Sequence, residues 1–212
     1  MFRYDRLKRL IDVVGAGVGL VLTGPVLACA AAAIGLTMGR PIFFRHRRPG
    51  LGGEPFLLIK FRTMRPPSDD EDMIGNDEGR ITAVGRALRT TSIDELPTLW
   101  NVLRGDMSLV GPRPLLMRYL ERYSPRQARR HQVRPGVTGW AQINGRNELN
   151  WDEKFELDVW YVENRSLVLD AKILVMTVAK VLARDGISKQ GHVTAPEFVG
   201  ERPKAPHSRQ AG

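Results

Sequence analysis

Cysteine is almost absent: the 212-residue chain holds one, Cys29. A lone cysteine closes no internal disulfide, which excludes a disulfide-stapled secreted scaffold, and Cys29 has no thiol partner for a zinc site. Histidine is also sparse. His46, His131, His192 and His207 are scattered, without metal-ligand spacing. Acidic residues are in deficit, 23 Asp and Glu against 32 Lys and Arg, for a formal net charge of +9. That surplus suits a polyanionic partner: nucleic acid, an anionic membrane surface or a phosphorylated substrate. No nucleic-acid-binding motif is visible, which argues against the first. Internal repeats are lacking too, and the length suits one domain plus an appendage, with ample residues for a core.

What is present is one long apolar run. From Val13 to Gly39 there are 27 residues without a charge, more than a straight helix needs to cross a bilayer core of roughly 30 Å. It is too long for a cleaved signal peptide, and arginines follow it directly. Pro25, preceded by Gly24, lies near its middle, where proline removes a hydrogen bond and bends a helix. Each half is too short to cross alone. Arg3, Arg6, Lys8 and Arg9 precede the run; Arg40, Arg45, Arg47 and Arg48 follow it. Basic flanks favour the cytoplasmic side, so equal clusters at both ends are frustrated in a single span and satisfied in a kinked, re-entrant helix. An ordinary tilted span with a proline kink is the competing reading. Gly15-Ala16-Gly17-Val18-Gly19 superficially resembles a dinucleotide-binding loop, but its spacing is wrong, no strand precedes it and no acidic residue follows until Glu54. Small residues in a membrane helix explain these glycines.

Beyond this run, Pro41–Phe44 and Phe56–Ile59 read as strands of a hairpin around Gly50-Leu51-Gly52-Gly53. The second continues through Lys60-Phe61-Arg62-Thr63-Met64, where alternation places Lys60 and Arg62 on one face. Residues 66–80 form an acidic loop, the segment expected to be most mobile. From 81 onward the chain reads mainly as helix with Gly/Pro breaks. Trp151, Phe155, Val159 and Val162 recur at helical spacing as a core stripe. The expected fold is α+β, mainly helical with a small β-hairpin and one N-terminal membrane helix. Its divisions are a basic flank and membrane helix over 1–40, a catalytic domain over 41–202 and a disordered tail over 203–212.

Candidate chemistry concentrates between Gly85 and Pro114. Pro97 is tolerated only in a helix's first turn, so a helix should begin near Ile93 or Asp94. Asp94 and Glu95 then sit at its positive end near Arg86 and Arg89, conditions that favour ionised carboxylates. An ionised carboxylate can attack phosphorus or hold Mg²⁺ together with phosphate oxygens. The plainer alternative is that Ser92-Ile93-Asp94-Glu95 is a capping box. Lys60, Arg62, Arg89, Arg113 and Arg146 are candidate phosphate ligands, although any one of them alone reads as a solvated surface charge. Arg113 stands between two prolines, which stiffen the backbone and fix where its guanidinium points.

Several long motifs occur together: Lys8-Arg9-Leu10-Ile11-Asp12, Lys60-Phe61-Arg62-Thr63-Met64, Thr91-Ser92-Ile93-Asp94-Glu95-Leu96-Pro97, Ser108-Leu109-Val110-Gly111-Pro112-Arg113-Pro114, Pro135-Gly136-Val137-Thr138-Gly139-Trp140 and Leu157-Asp158-Val159-Trp160-Tyr161. In these, and in their order from about Tyr4 to Phe198, the chain closely resembles the bacterial sugar transferases called small monotopic phosphoglycosyl transferases. The resemblance implies transfer of a sugar-1-phosphate from a UDP-sugar to polyprenyl (undecaprenyl) phosphate, with release of UMP. It implies a covalent mechanism with Asp94 as nucleophile and Glu95 assisting through Mg²⁺ or proton handling. Asp94 and Glu95 would be the metal ligands. Lys60, Arg62, Arg89, Arg113 and Arg146 would hold phosphates, with Asp158 a weaker candidate. It further implies a re-entrant helix on the cytoplasmic face of the bacterial inner membrane, with anionic lipids as partners. One departure is the kink, Gly24-Pro25 here where the best-known members carry Ser-Pro. A non-catalytic basic peripheral membrane protein is the alternative. The sugar, the glycan pathway and the oligomeric state, a homodimer included, stay open.

Overall fold

The computed structural model describes residues 2–66, 77–145, 149–183 and 197–200. The expected disordered tail and most of the acidic loop lie outside them. The first element, α1 (Phe2–Met38), is a helix of 37 residues that contains Pro25. Gly15, Gly17 and Gly19 all lie within it. A hairpin follows, β1 (Phe43–Pro49) and β2 (Pro55–Phe61), antiparallel with Phe43 opposite Phe61 and Pro49 opposite Pro55. A 3₁₀ turn at Leu51–Gly53 joins them. The first strand thus runs further than its apolar start suggested. Arg45, Arg47 and Arg48, read from sequence as a membrane flank, belong to β1, because pairing with β2 satisfies their backbone whatever their side chains carry.

The rest is short elements: α2 (Asp77–Arg80), α3 (Ala83–Thr90), a 3₁₀ turn at Ile93–Glu95, α4 (Thr98–Arg104), β3 (Ser108–Val110) and a 3₁₀ segment at Met117–Arg122. Then come α5 (Pro125–Ala128), a turn at Arg129–Gln132, β4 (Gly136–Thr138), α6 (Trp140–Ile143), α7 (Trp151–Asn164) and α8 (Leu167–Ala183). Local chemistry sets the boundaries. The Thr82 hydroxyl accepts from the Gly85 N–H to start α3, Asn150 and Glu153 form a reciprocal capping box on α7, and Gly105 closes α4 at φ 93°, a left-handed conformation that costs glycine little. The stripe on α7 is core as expected: Phe155, Val159 and Val162 are buried.

α1 lies against the domain along its length. Lys8 pairs with Asp170 of α8 at 2.9 Å, and Arg9 donates to the carbonyls of Val102 and Leu103 at the end of α4. Asp12 accepts from the Leu109 N–H of β3. Further on, Ala16 packs with Leu58, Leu99, Val102 and Met107, and Ala30 and Ile34 pack with Phe61 and Leu88. The far end is tied as well, through Arg62, whose guanidinium donates to the carbonyls of Met38, Gly39 and Arg40. The opposite face is apolar and bare: Val21, Leu22 and Leu36 are 77%, 74% and 89% exposed. A helix that crossed a bilayer would separate its two ends by roughly 30 Å of hydrocarbon. Here both ends are fastened to one domain while an apolar face stays uncovered, the geometry of a monotopic membrane helix.

β3 and β4 form a short parallel ladder, Ser108 opposite Gly136 and Val110 opposite Thr138. It brings two glycines into backbone contact. A Cβ at Gly136 would collide with the Gly111 backbone, so no other residue lets the chains approach this closely. The Gly136 N–H reaches on to the Pro112 carbonyl at 3.0 Å. The ladder therefore aims the Gly111–Pro114 segment across the domain toward the Ile93–Glu95 turn.

Candidate active site

Asp94 and Glu95 occupy the tight turn between α3 and α4. The expected helical start falls at Ile93, as a 3₁₀ turn, with Pro97 as the cap of α4. No capping box forms: Ser92 adopts φ 57° and its side chain caps nothing. That left-handed residue reverses the chain after α3, so consecutive carboxylates face the hairpin and the Gly111–Pro114 segment.

Glu95 is held by two cations. Its Oε1 accepts from Lys60 Nζ at 2.6 Å and from Arg113 Nη2 at 2.6 Å. The carboxylate is about a quarter exposed. Its other oxygen, Oε2, has only a 3.5 Å contact with Arg113 Nη1. Burial alone would raise the Glu95 pKa, but the charges of Arg113 and Lys60 outweigh it and hold the carboxyl well below the usual range. Lys60 moves down because burial outweighs its attraction to Glu95. Arg113 moves up, held by the Glu95 charge.

The expectation that surrounding positive charge favours the ionised form of both carboxylates holds for Glu95 and fails for Asp94. It makes no hydrogen bond or ion pair among the described residues, and burial together with the Glu95 charge pushes its carboxyl up to about 6 against the pull of Lys60, Arg89 and Arg113. The pair is thus one pinned carboxylate and one unengaged carboxylate set among cations. Arg89 braces the rim, its Nε donating to Thr63 Oγ1 at 2.9 Å.

Of the sequence-derived candidates, Lys60, Arg89, Asp94, Glu95 and Arg113 converge. Arg62 does not: β2 ends at Phe61, alternation stops there, and the side chain turns to the end of α1. Asp158 is also elsewhere, 3% exposed on α7 and locked to Arg130 at 2.6 Å. Arg146 lies outside the described residues. Two contributors had no sequence signal. Asn101, fully buried, accepts from the Ile59 N–H and donates to the Leu57 carbonyl, stitching α4 to β2 and setting Lys60 against Glu95. Arg130 donates to the Arg113 carbonyl at 2.7 Å.

No group of three or more His, Cys, Asp or Glu gathers to hold a metal among the described residues. The donor set still fits a hard divalent cation that takes most of its ligands from elsewhere. Glu95 Oε2 and the Asp94 carboxylate are open, and Mg²⁺ commonly uses one or two carboxylates plus substrate phosphates.

The domain thus carries an apolar helix with one bare face and a carboxylate pair among Lys60, Arg89 and Arg113. Residues 3–184 match the bacterial sugar transferase family, and the chain belongs to that family. It is 56% identical over 194 residues to an uncharacterized sugar transferase, EpsL, of Bacillus subtilis, covering 92% of this chain and 96% of that one. Identity is 45% over 192 residues to a UDP-glucose:undecaprenyl-phosphate glucose-1-phosphate transferase of Caulobacter vibrioides, covering 85% and 72% respectively. An Escherichia coli protein of the same name is 44% identical over 186 residues, which span 82% of this chain and 40% of that longer one.

Proposed function

We propose that the chain moves a sugar-1-phosphate from a UDP-sugar to polyprenyl phosphate, such as undecaprenyl phosphate, at the cytoplasmic face of the bacterial inner membrane. The observation that carries this reading is the division of labour between two adjacent carboxylates: Glu95 engaged by Lys60 and Arg113 at 2.6 Å each, Asp94 unengaged beside it. The relatives named as glucose-1-phosphate transferases support the substrate class.

In the first step an Asp94 carboxylate oxygen forms a bond to the β-phosphorus of the UDP-sugar. The bond from that phosphorus to the bridging oxygen breaks, and UMP departs with the electron pair. In the second, a phosphate oxygen of the polyprenyl phosphate attacks the same phosphorus. The Asp94–phosphorus bond breaks, returning the carboxylate and leaving a lipid-linked sugar diphosphate. Splitting the transfer lets one site use each substrate in turn. Lys60, Arg89 and Arg113 orient the phosphates and neutralise their charge. Glu95 keeps Lys60 and Arg113 aimed at the reacting centre. A Mg²⁺ held by Asp94, Glu95 and substrate oxygens would supply further charge neutralisation. The bare face of α1 lies in lipid, so the acceptor phosphate is met at headgroup level, where the chain's positive surplus also attracts anionic lipids.

The test is Asp94→Asn. The folded variant should lose transfer, and the wild-type protein should form UMP from a UDP-sugar before any acceptor is added. Retention of substantial activity by Asp94→Asn removes the nucleophile assignment. Intersecting rather than parallel double-reciprocal lines would indicate direct attack by the lipid phosphate.

A further inference from the structure

Arg48 is an oddity among the arginines of this domain. Arg9, Arg89, Arg113 and Arg130 spend N–H groups on carbonyls, hydroxyls or carboxylates, and Arg62, whose Nε is also buried without a partner, still donates through both terminal nitrogens. Arg48 makes no hydrogen bond or ion pair among the described residues, and its Nε is closed off from solvent without a partner. Buried polar groups are almost always hydrogen-bonded, and a desolvated charge without a counter-charge is costly. Burial, with the charge of Arg113 adding to it, lowers the guanidinium to about 10.

Its position says what could complete it. In the antiparallel register Arg48 lies opposite Phe56 and Phe44 lies opposite Lys60. Residues 44, 46 and 48 share one face of β1, and directly paired residues point to the same side. Arg48 and Lys60 therefore project from one face of the hairpin, about 13 Å apart along it. Arg113 bridges the interval, since it bonds Glu95 beside Lys60 and also acts electrostatically on Arg48. Tyr119 and Tyr123 are within electrostatic reach as well. Lys60, Arg89 and Arg113 act on the carboxylates Asp94 and Glu95, whereas the groups that act on Arg48 are Arg113, Tyr119 and Tyr123, none of them a carboxylate. The surplus is positive, and it is concentrated at Arg48.

We propose that Arg48 is a phosphate-binding residue, its guanidinium fork taking phosphate oxygens next to Arg113. A planar fork with unused N–H groups suits bidentate binding of phosphate. The proposal deepens the reading of the site as one for phosphorylated substrates. The phosphate could belong to the nucleotide or to the lipid acceptor, and kinetics separates the two.

The experiment uses the full chain in lipid nanodiscs. Pyrophosphate and UDP are titrated calorimetrically into wild type, Arg48→Met and Arg48→Lys, and the same preparations are assayed with UDP-sugar with and without polyprenyl phosphate. Arg48→Met should bind pyrophosphate at least tenfold more weakly, with Arg48→Lys between it and wild type. If Arg48 serves the nucleotide, KM for UDP-sugar rises about tenfold and UMP release without acceptor slows at low substrate. If it serves the acceptor, that UMP release is unchanged and KM for polyprenyl phosphate rises instead. Either result supports the assignment. Unchanged pyrophosphate and UDP affinities, with both KM values unchanged, overturn it. Should Arg48→Met not fold, Arg48→Lys decides alone: it keeps the charge and loses the fork, and wild-type affinity and KM values in it refute the proposal. Arg48-dependent pyrophosphate binding in a chain that forms no UMP from any UDP-sugar would leave Arg48 standing and remove the transferase reading.

Discussion

Asp158 grips Arg130 through a single carboxylate oxygen, Oδ2, at 2.6 Å from Nη2 and 3.1 Å from Nε. The same Nη2 donates to the Arg113 carbonyl at 2.7 Å, and the Arg130 guanidinium lies over the rings of Tyr123 and Phe155. Asp158 thus acts on the carboxylate pair at two removes: it fixes Arg130, Arg130 fixes the Pro-Arg-Pro backbone, and Arg113 reaches Glu95 from there. Both members are almost fully buried, 2% and 5% exposed at the side chain. Removing one leaves the other charge uncompensated, which typically costs about 3–5 kcal/mol. Asp158→Ala should lower the thermal unfolding midpoint by several degrees, and the folded fraction should show a reduced kcat as Arg113 drifts. A variant with wild-type midpoint and kcat would show that the pair positions nothing.

Glu95→Gln separates electrostatics from reaction. The amide keeps the size of the side chain but withdraws the counter-charge from Lys60 and Arg113, leaving those cations freer for an anion. With EDTA present, the variant should bind UDP at least as tightly as wild type does. Transfer should fall at least tenfold, because Lys60 and Arg113 are no longer held in register with Asp94. Weaker UDP binding in that experiment would mean that Glu95 contributes to the ligand itself.

His131 supplies the pH dependence of stability. Burial, followed by the charge of Arg130, lowers its pKa from 6.5 to about 4, and its Nε2 is buried without a partner. Between those values the unfolded chain takes up a proton that the folded one refuses, so stability must rise with pH across the window. The contribution is complete above about 6.5 and is lost as pH falls toward 4. Buried carboxylates add slopes of their own, which a variant cancels. His131→Gln compared with wild type at each pH should give unfolding midpoints that approach one another on acidification from 7 to 4. A constant gap would remove His131 from the account.

Much of this was legible in the residues, and the exceptions have identifiable causes. The apolar run, the hairpin and the α7 stripe declare themselves by period and by Gly/Pro punctuation, which are local properties. Asp94, Glu95, Lys60, Arg89 and Arg113 were legible because charged residues crowd short motifs, and they do converge. Arg62 was misplaced because alternation was carried past the end of β2: one residue beyond Phe61 the strand stops and the face it predicts no longer exists. The partner of Asp158 could not be read at all, since Arg130 is 28 positions away and only the packing of α7 against the 129–132 turn brings them together. Asn101 was hidden for the same reason, its partners being the edge of a strand 42 to 44 residues earlier.

The placement of α1 makes a topological prediction independent of catalysis. Near its start Lys8 is fixed to Asp170, and at its end Met38 accepts from the Thr82 hydroxyl and from Arg62. Both attachments are to the same domain, so residues before and after the apolar run must lie on one side of the membrane. Cys29 is the single native cysteine and is exposed, so a Cys29→Ser background gives a clean start. Arg6 and Arg47 are both exposed and bracket the run. With the domain on the cytoplasmic face as proposed, single Arg6→Cys and Arg47→Cys variants, treated in intact cells with a membrane-impermeant maleimide, should both be protected, and both should react once the membrane is opened. Labelling of Arg6→Cys alone in intact cells would place the N-terminus across the bilayer. That result would also require the Lys8–Asp170 pair to be broken, because an ion pair of 2.9 Å cannot extend through a hydrocarbon core of roughly 30 Å.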